Sequence, residues 1–234
     1  MRMAMPGGIV MMLKRVALTA ATLLVAATVQ QQNVHTQVVG SPASVPGIDK
    51  PVRVVQGRFT RDLVLTNDYY WVLRGAVFFE EPARLYIQAG TRIVGETATR
   101  GTLIISRGAQ IIAEGTRDQP IVFTSDQPIG ERGRGDWGGL IINGRAPINL
   151  PAGVGLGEGD TGVYGGNDPD DDSGVLRYVR VEFAGIEFSP DNELNGIAFQ
   201  GVGRGTTVDH IQIHWNEDDA VEFFGGTVDA KYLV

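Results

Sequence analysis

Residues 85–114 repeat themselves, and that repeat restricts the chain to few architectures. Leu85-Tyr86-Ile87-Gln88-Ala89-Gly90-Thr91-Arg92-Ile93-Val94-Gly95-Glu96 realigns eighteen residues on with Leu103-Ile104-Ile105-Ser106-Arg107-Gly108-Ala109-Gln110-Ile111-Ile112-Ala113-Glu114. A weaker copy lies fifteen residues upstream, with Val72 matching Ile87, Gly75-Ala76 matching Gly90-Thr91, Phe78-Phe79 matching Ile93-Val94 and Glu81 matching Glu96. Each unit is a short β-rich run, a glycine-centred corner and a second β-rich run. This period is too short for a tetratricopeptide or ankyrin unit, and neither helical spacing nor the leucine-rich consensus is present. It fits one coil of a parallel β-helix, an all-β solenoid in which coils stack about 4.8 Å apart and equivalent Leu and Ile side chains pile into inward columns. Glycine suits the corners because it takes positive φ without a Cβ clash.

A chain of 234 residues is long enough for one undivided β domain, and a hydrophobic content of 43% supports a packed core. The 32 glycines follow no collagen-like period, so they read as corners and loops. A net charge of −7 and the absence of a basic stripe argue against nucleic acid as a partner. With no cysteine there is no disulfide, no thiolate metal site, no thiol nucleophile and no lipid-modified cysteine.

Lys14 and Arg15 precede an apolar run from Val16 to Ala27, and Gln30-Gln31-Gln32 follows. This pattern reads as a signal peptide over residues 1–27, too short to cross a bilayer as a mature span. Export to the cell exterior is therefore expected, as a secreted or cell-surface protein, with the periplasm as another destination. Residues 28–50 read as a flexible linker and residues 51–234 as the β-helix domain. Within that domain, 52–70 suits an N-terminal cap containing the strand Leu63-Val64-Leu65. Residues 143–175 form a long insertion with no strand pattern, tolerable in a solenoid because it leaves the stack intact.

Pattern returns at Leu176-Arg177-Tyr178-Val179-Arg180-Val181-Glu182-Phe183, where Val179, Val181 and Phe183 alternate with polar residues. Copies follow from Val208, at offset 32, and from Val228, at a further 20; Ile197-Ala198-Phe199 pairs with Val221-Glu222-Phe223 at offset 24. The chain ends within the strand-like run Tyr232-Leu233-Val234, so further coils are expected beyond it.

Gly135-Asp136-Trp137-Gly138-Gly139-Leu140-Ile141-Ile142-Asn143-Gly144, the 176–185 run, Asn192-Glu193-Leu194-Asn195-Gly196-Ile197 and Asp218-Asp219-Ala220-Val221-Glu222-Phe223-Phe224-Gly225-Gly226 resemble a family of secreted or surface-attached bacterial proteins. The resemblance covers about residues 71–234 and implies a right-handed parallel β-helix. It carries no assigned activity, so it speaks to fold and location.

By alternation Tyr178, Arg180 and Glu182 face outward, joined two coils on by His210, Gln212 and His214. Stacked outward rows on one sheet suit the binding of polysaccharide or another cell-surface component. His210 and His214 lie four residues apart in a strand, hence about 13 Å, too far to share a metal. Asp218-Asp219 just before a strand is similar to the paired aspartates of polygalacturonase-type inverting glycoside hydrolases. That similarity makes Asp218 and Asp219 candidate catalytic acids, with Glu222 or His214 assisting. The Gly-His-Gly and Arg-x-Lys elements of those enzymes have no counterpart here. The other reading of Asp218-Asp219 is a corner whose side chains accept backbone N–H groups. The acidic loop with Asp160, Asp168, Asp170, Asp171 and Asp172 is a candidate Ca²⁺ site by its density of carboxylates, although it follows no EF-hand spacing. Three function classes stand together: a non-catalytic surface scaffold or polysaccharide binder, a polysaccharide hydrolase or lyase, and a calcium-stabilised structural module. Trp71, Trp137 and Trp215 are either sugar platforms or core residues.

Overall fold

In the computed structural model, residues 37–40 and 50–234, other than residue 191, are described. The expected signal peptide lies outside these residues, as does most of the expected linker. Gln37–Gly40, inside that linker, is a strand paired antiparallel with Arg53 to Gln56.

From residue 52 onward the chain winds as a parallel β-helix of three sheets. The first sheet stacks the N-terminal part of Val52–Phe59, the N-terminal part of Tyr70–Phe79, Arg92–Gly95, Ile121–Ser125, and the C-terminal parts of Gly174–Glu182 and Thr207–His214. The second stacks the remainder of the first two strands, then Thr102–Ile105, Gly139–Asn143, Ile197–Gln200 and Val221–Phe224. The third runs through Leu63–Leu65, Arg84–Ile87, Gln110–Glu114, the starts of the 174–182 and 207–214 strands, and Ala230–Leu233. Every pairing within these sheets is parallel, so each strand covers its neighbour's backbone hydrogen-bonding groups along the stack.

The core is a set of register columns. Trp71, Ile93, Phe123, Val181 and Ile213 fill the inside of the first sheet, and Phe79, Ile105, Ile142, Phe199 and Phe223 that of the second. Leu65, Ile87, Ala113, Leu176, Val208 and Ala230 line the third. Trp71 and Trp137 are wholly enclosed core residues, whereas Trp215 is exposed.

The repeat in the sequence is real, but it is not one coil laid on the next. Leu85 pairs with Ile111 in the third sheet, while Leu103 pairs with Val77 in the second. The three similar units cross three different corners, at Gly75, Gly90 and Gly108, all with positive φ. Each unit therefore begins two sides of the coil after the previous one. The corners obey the same local chemistry, and so similar sequences recur at each. True coil offsets vary: Leu63 sits beside Leu85, Leu85 beside Ile111, and Ile111 beside Gly174.

Four further expectations are corrected. Residues 52–65 form a complete first coil, not a separate cap, because Val54 and Val55 continue columns of the first sheet. The insertion contains an antiparallel hairpin of Val154–Leu156 and Val163–Gly165, too short and too exposed to show as a hydrophobic alternation. Val208 pairs with Ala230, not Val228, which sets His210 and Tyr232 at equivalent corners. Phe183 leaves the inward alternation: at φ +61° it turns the corner and is half-buried.

Two outward columns are also apolar. Val54, Val72 and Val94 are buried on the outside of the first sheet, where Arg132 of the 126–136 loop reaches the Tyr70 hydroxyl. Phe78, Ile104, Ile141 and Ala198 are buried on the outside of the second, under Ile186 and Leu194. These covered rows explain why Gly139–Asn143 and Ile197–Gln200 carry no in-out alternation.

Candidate functional site

The outer surface of the first sheet changes character along the stack. The column that begins with Val54, Val72 and Val94 continues as Thr124, Glu182 and His214. The neighbouring column runs Tyr70, Arg92, Val122, Arg180 and Gln212. Arg180, Glu182, Gln212 and His214 thus occupy adjacent coils, one coil apart and not two. Their contacts are direct: Arg180 Nε donates to Gln212 Oε1 at 2.9 Å, and Thr124 Oγ1 donates to Glu182 Oε2 at 3.0 Å. Glu182 Oε1 stands 3.6 Å from Arg180 Nη1 and 3.7 Å from His214 Nε2. Only 13% of the Glu182 side chain is exposed, so its carboxylate is held in place while His214 remains accessible.

Two recesses flank these rows. One, of about 400 Å³, is lined by Lys50, Asn67, Arg92, Asp118, Gln119 and Arg180. The other, of about 380 Å³, is bounded by Ile129, Arg132, Glu182, Phe183, His214 and Trp215. Trp215 is 61% exposed, and the Arg134 guanidinium lies 5.8 Å from the centre of its ring. No hydrogen bond or ion pair is made by the Arg92 guanidinium among the described residues. A basic group without a partner therefore faces solvent in a chain whose net charge is −7.

The strands carrying these rows are bracketed by aromatic residues in the left-handed region. Tyr178 (φ +48°) and Phe183 (φ +61°) enclose one, and His210 (φ +53°) and Trp215 (φ +61°) enclose the next. Bulky residues in this region cost roughly 1–3 kcal/mol each and persist where surrounding contacts fix them. At the first corner the fixing contact is a ring ladder: Tyr178 stacks on His210 at 4.4 Å, and His210 on Tyr232 at 4.5 Å. Stacking occupies both faces of His210 and one face of Tyr178. The bend at His210 also removes the straight-strand geometry from which its separation from His214 was expected. Asp209 accepts from His210 Nδ1 at 2.9 Å and from Arg177. Burial pushes the Asp209 carboxyl up, but those two partners outweigh it and hold the group below its ordinary value.

The four proposed catalytic residues are divided between surfaces. His214 belongs to the first sheet, with Glu182. Glu222 is on the outside of the second sheet, next to Ala198 in register. Asp218 and Asp219 are exposed at the corner between them, and there it is the Asp219 carbonyl, not a side chain, that accepts Gly196 N–H at 2.9 Å. The side-chain cap of this corner comes from Asn216, whose Oδ1 accepts Ala184 N–H at 3.1 Å. Glu158 and Glu222 are both pushed up, first by burial and then by acidic neighbours: Glu222, Glu193 and Asp218 for the former, Asp219 and Asp218 for the latter. The hydrogen bond from Asn195 to Glu222 opposes that rise.

The acids of the insertion do not gather either. Asp168 Oδ1 accepts Asp170 N–H, Asp172 Oδ1 accepts Gly174 N–H, Asp171 is buried against Ser173, and Asp170 pairs with Arg204. Asp160 lies in a separate short turn at φ +57°. Among the described residues no three His, Asp or Glu side chains form a group placed to hold a metal ion.

Sequence reading missed Arg92, Thr124, Arg132, Glu193 and Asn195. Their signal is register: Arg92 and Thr124 become visible only when Arg92 is set beside Val122, and Val122 beside Arg180, 58 positions further along the chain.

A family model described as the pectate-lyase like beta helix domain matches residues 57–234. The chain belongs to this family. No curated protein and no solved structure matches it. The pectate-lyase-like assignment covers the three-sheet stack from the first corner at Gly57 to the last residue and includes both acidic and basic surfaces described above. Among the described residues no helix is long and apolar enough to cross a membrane.

Proposed function

We propose that this domain acts at the cell exterior as a polysaccharide-binding surface protein, with the outer face of the first sheet as its binding surface and acidic polysaccharide as its ligand. The observation that carries this reading is the unpartnered Arg92, grouped with Arg180 and Lys50 in the recess beside the Glu182–His214 row. Guanidinium groups match planar carboxylates by bidentate donation, and hydroxyl-rich rings offer C–H faces to an exposed indole such as Trp215. The family and the signal-like N-terminal pattern support export. Affinity electrophoresis of the full chain through polygalacturonate and through neutral glucan tests the reading. Retardation in the acidic polymer only, reduced in Arg92→Ala and Arg180→Ala, is the expected result; equal mobility in both gels would overturn it.

A hydrolase or lyase on the same face is the second reading, favoured by the 3.7 Å approach of His214 to the nearly enclosed Glu182. A histidine oriented by a carboxylate can move a proton at a bound sugar. This reading predicts release of reducing ends or unsaturated products that disappears in His214→Gln, whereas binding without release removes it.

A further inference from the structure

The outward column of the second sheet runs Phe78, Ile104, Ile141, Ala198 and then ends in the carboxylate of Glu222. Four more acids act on this carboxylate or on one another. Asp218 and Asp219 come from its own corner, Glu158 from the short turn of the 144–173 insertion, and Glu193 from the Asn192–Glu193 strand. The Tyr164 hydroxyl, from the hairpin of the insertion, faces Glu158 and Glu222 as well. Among the described residues, none of the five acids takes part in an ion pair. Such a cluster is relieved by a cation or by protons. No three His, Asp or Glu side chains among the described residues are grouped to hold a metal, whereas a proton needs only one carboxyl group beside one free acceptor.

Asn195 supplies an independent observation. It is 1% exposed, its Nδ2 donates to Glu222 Oε2 at 2.6 Å, and its Oδ1 has no partner. An enclosed amide oxygen without a donor is costly, because it gives up hydration without a replacement hydrogen bond. A primary amide beside a carboxylic acid closes a two-bond ring: N–H to one carboxyl oxygen, and O–H from the other to the amide oxygen. The Asn195–Glu222 pair holds the first of these bonds, and the unpartnered Oδ1 is the acceptor that the second requires.

We propose that Asn195 and Glu222 are a proton-operated latch, in which uptake of one proton at Glu222 Oε1 completes the ring to Asn195 Oδ1. The closed ring fastens residues 192–196 to the second sheet. Leu194, next to Asn195, packs on the outward apolar column, and its N–H is held by the Ile186 carbonyl at 2.8 Å. Asn192 carries the effect onward, because its Oδ1 accepts Gly159 N–H of the large insertion at 2.8 Å. The latch is independent of any ligand on the first sheet. Glu222 is raised in the folded chain, so its contribution is fully present below the ordinary glutamate value and is lost as pH rises through the folded value.

Amide hydrogen exchange of the full chain tests this, with protection factors for the Leu194 and Gly159 amides compared at about pH 4, below the ordinary glutamate value, and at about pH 8. Wild type should be several-fold better protected at the lower pH. Glu222→Gln places an amide in the ring that donates without a proton, so protection should be high and equal at both. Asn195→Ser should give low, pH-independent protection. Equal wild-type protection at the two pH values would overturn the latch, and so would a Glu222→Gln variant that still gains protection on acidification. If Asn195→Ser does not fold, the side-chain carboxyl resonance of Glu222 in wild type decides: titration in the ordinary glutamate range refutes the latch, and titration above it supports the latch.

Discussion

Gly95 is the position where a single added methyl group tests the stacking scheme most directly. It lies buried in the first sheet between Leu73 and Ser125, and its φ is not positive, so no turn requires glycine there. A Cβ built on Gly95 would lie 2.3 Å from Trp137 Cβ, 2.5 Å from Cγ and 2.7 Å from Cδ2. The nearest atom belongs to the root of the tryptophan side chain, which no rotamer change can move. Backbone must shift instead, and Trp137 is held there by its Nε1 donation to the Glu182 carbonyl at 2.8 Å and by stacking on Phe123. Overpacking typically costs 1–3 kcal/mol, and loss of the indole hydrogen bond adds about 1 kcal/mol, so Gly95→Ala should cost about 3 kcal/mol. For a domain of this size that corresponds to a melting temperature lower by roughly 6–12 °C. Gly75→Ala is the control: Gly75 has φ +61° but nothing within 4 Å of the place its methyl group would take, so only the left-handed backbone cost of about 1 kcal/mol applies. Urea denaturation followed by tryptophan fluorescence measures both. If Gly75→Ala proved the more damaging, or Gly95→Ala cost less than about 1 kcal/mol, the coil packing at Trp137 would be wrong. Adding Trp137→Ala to Gly95→Ala should not restore stability, because the closest atom, Cβ, remains.

Other expectations follow from single contacts. Phe199 is fully buried between Ile142 and Phe223 in the inward column of the second sheet, and Phe199→Ala should cost about 3–5 kcal/mol by denaturant titration. Asp209 is held below its ordinary value in the folded chain, so its stabilisation is present above the unfolded aspartate value and is lost as pH falls through the folded one. Asp209→Asn should therefore flatten the acid limb of the stability profile measured by thermal melts, and an unchanged limb would refute the assignment. Glu96 is also lowered, chiefly by its hydrogen bonds from Arg74, and Glu96→Gln should diminish the same acid limb independently of Asp209, from which it is separated along the stack.

The sequence makes the solenoid legible because corners and columns are local: a glycine at positive φ between two β-rich runs is written into the residues themselves. The number of runs per coil is not local. Three corners share one grammar, so the strongest self-match, Leu85 on Leu103, joins positions in different sheets, and only hydrogen-bonded register distinguishes corner from coil. The same limit governs the site. Arg180 and Glu182 are visible as outward residues of an alternating strand, and the offset of 32 to Gln212 and His214 is readable directly. Their relation to Arg92 and Thr124 is hidden, because the 144–173 insertion lies between them in the chain. Alternation misleads at Phe183 and His210, where the chain bends through the left-handed region inside what reads as one strand.

Insertion and charged surface are two outcomes of one constraint. Two outward columns begin apolar and covered: Val54, Val72 and Val94 near the 126–136 loop, and Phe78, Ile104 and Ile141 beneath Ile186 and Leu194. Each then turns ionic where the cover ends, at Glu182 and His214 on one sheet and at Glu222 on the other. A sheet face left bare with valine and isoleucine would expose an apolar patch, and one covered with carboxylates would enclose unpaired charge. In these two columns the change from apolar to charged therefore marks the edge of the covering segments. The ionic ends of these two columns lie in the last coils, and substitutions of Arg180 or His214 should alter binding with little effect on the stability of the coils before Gly115.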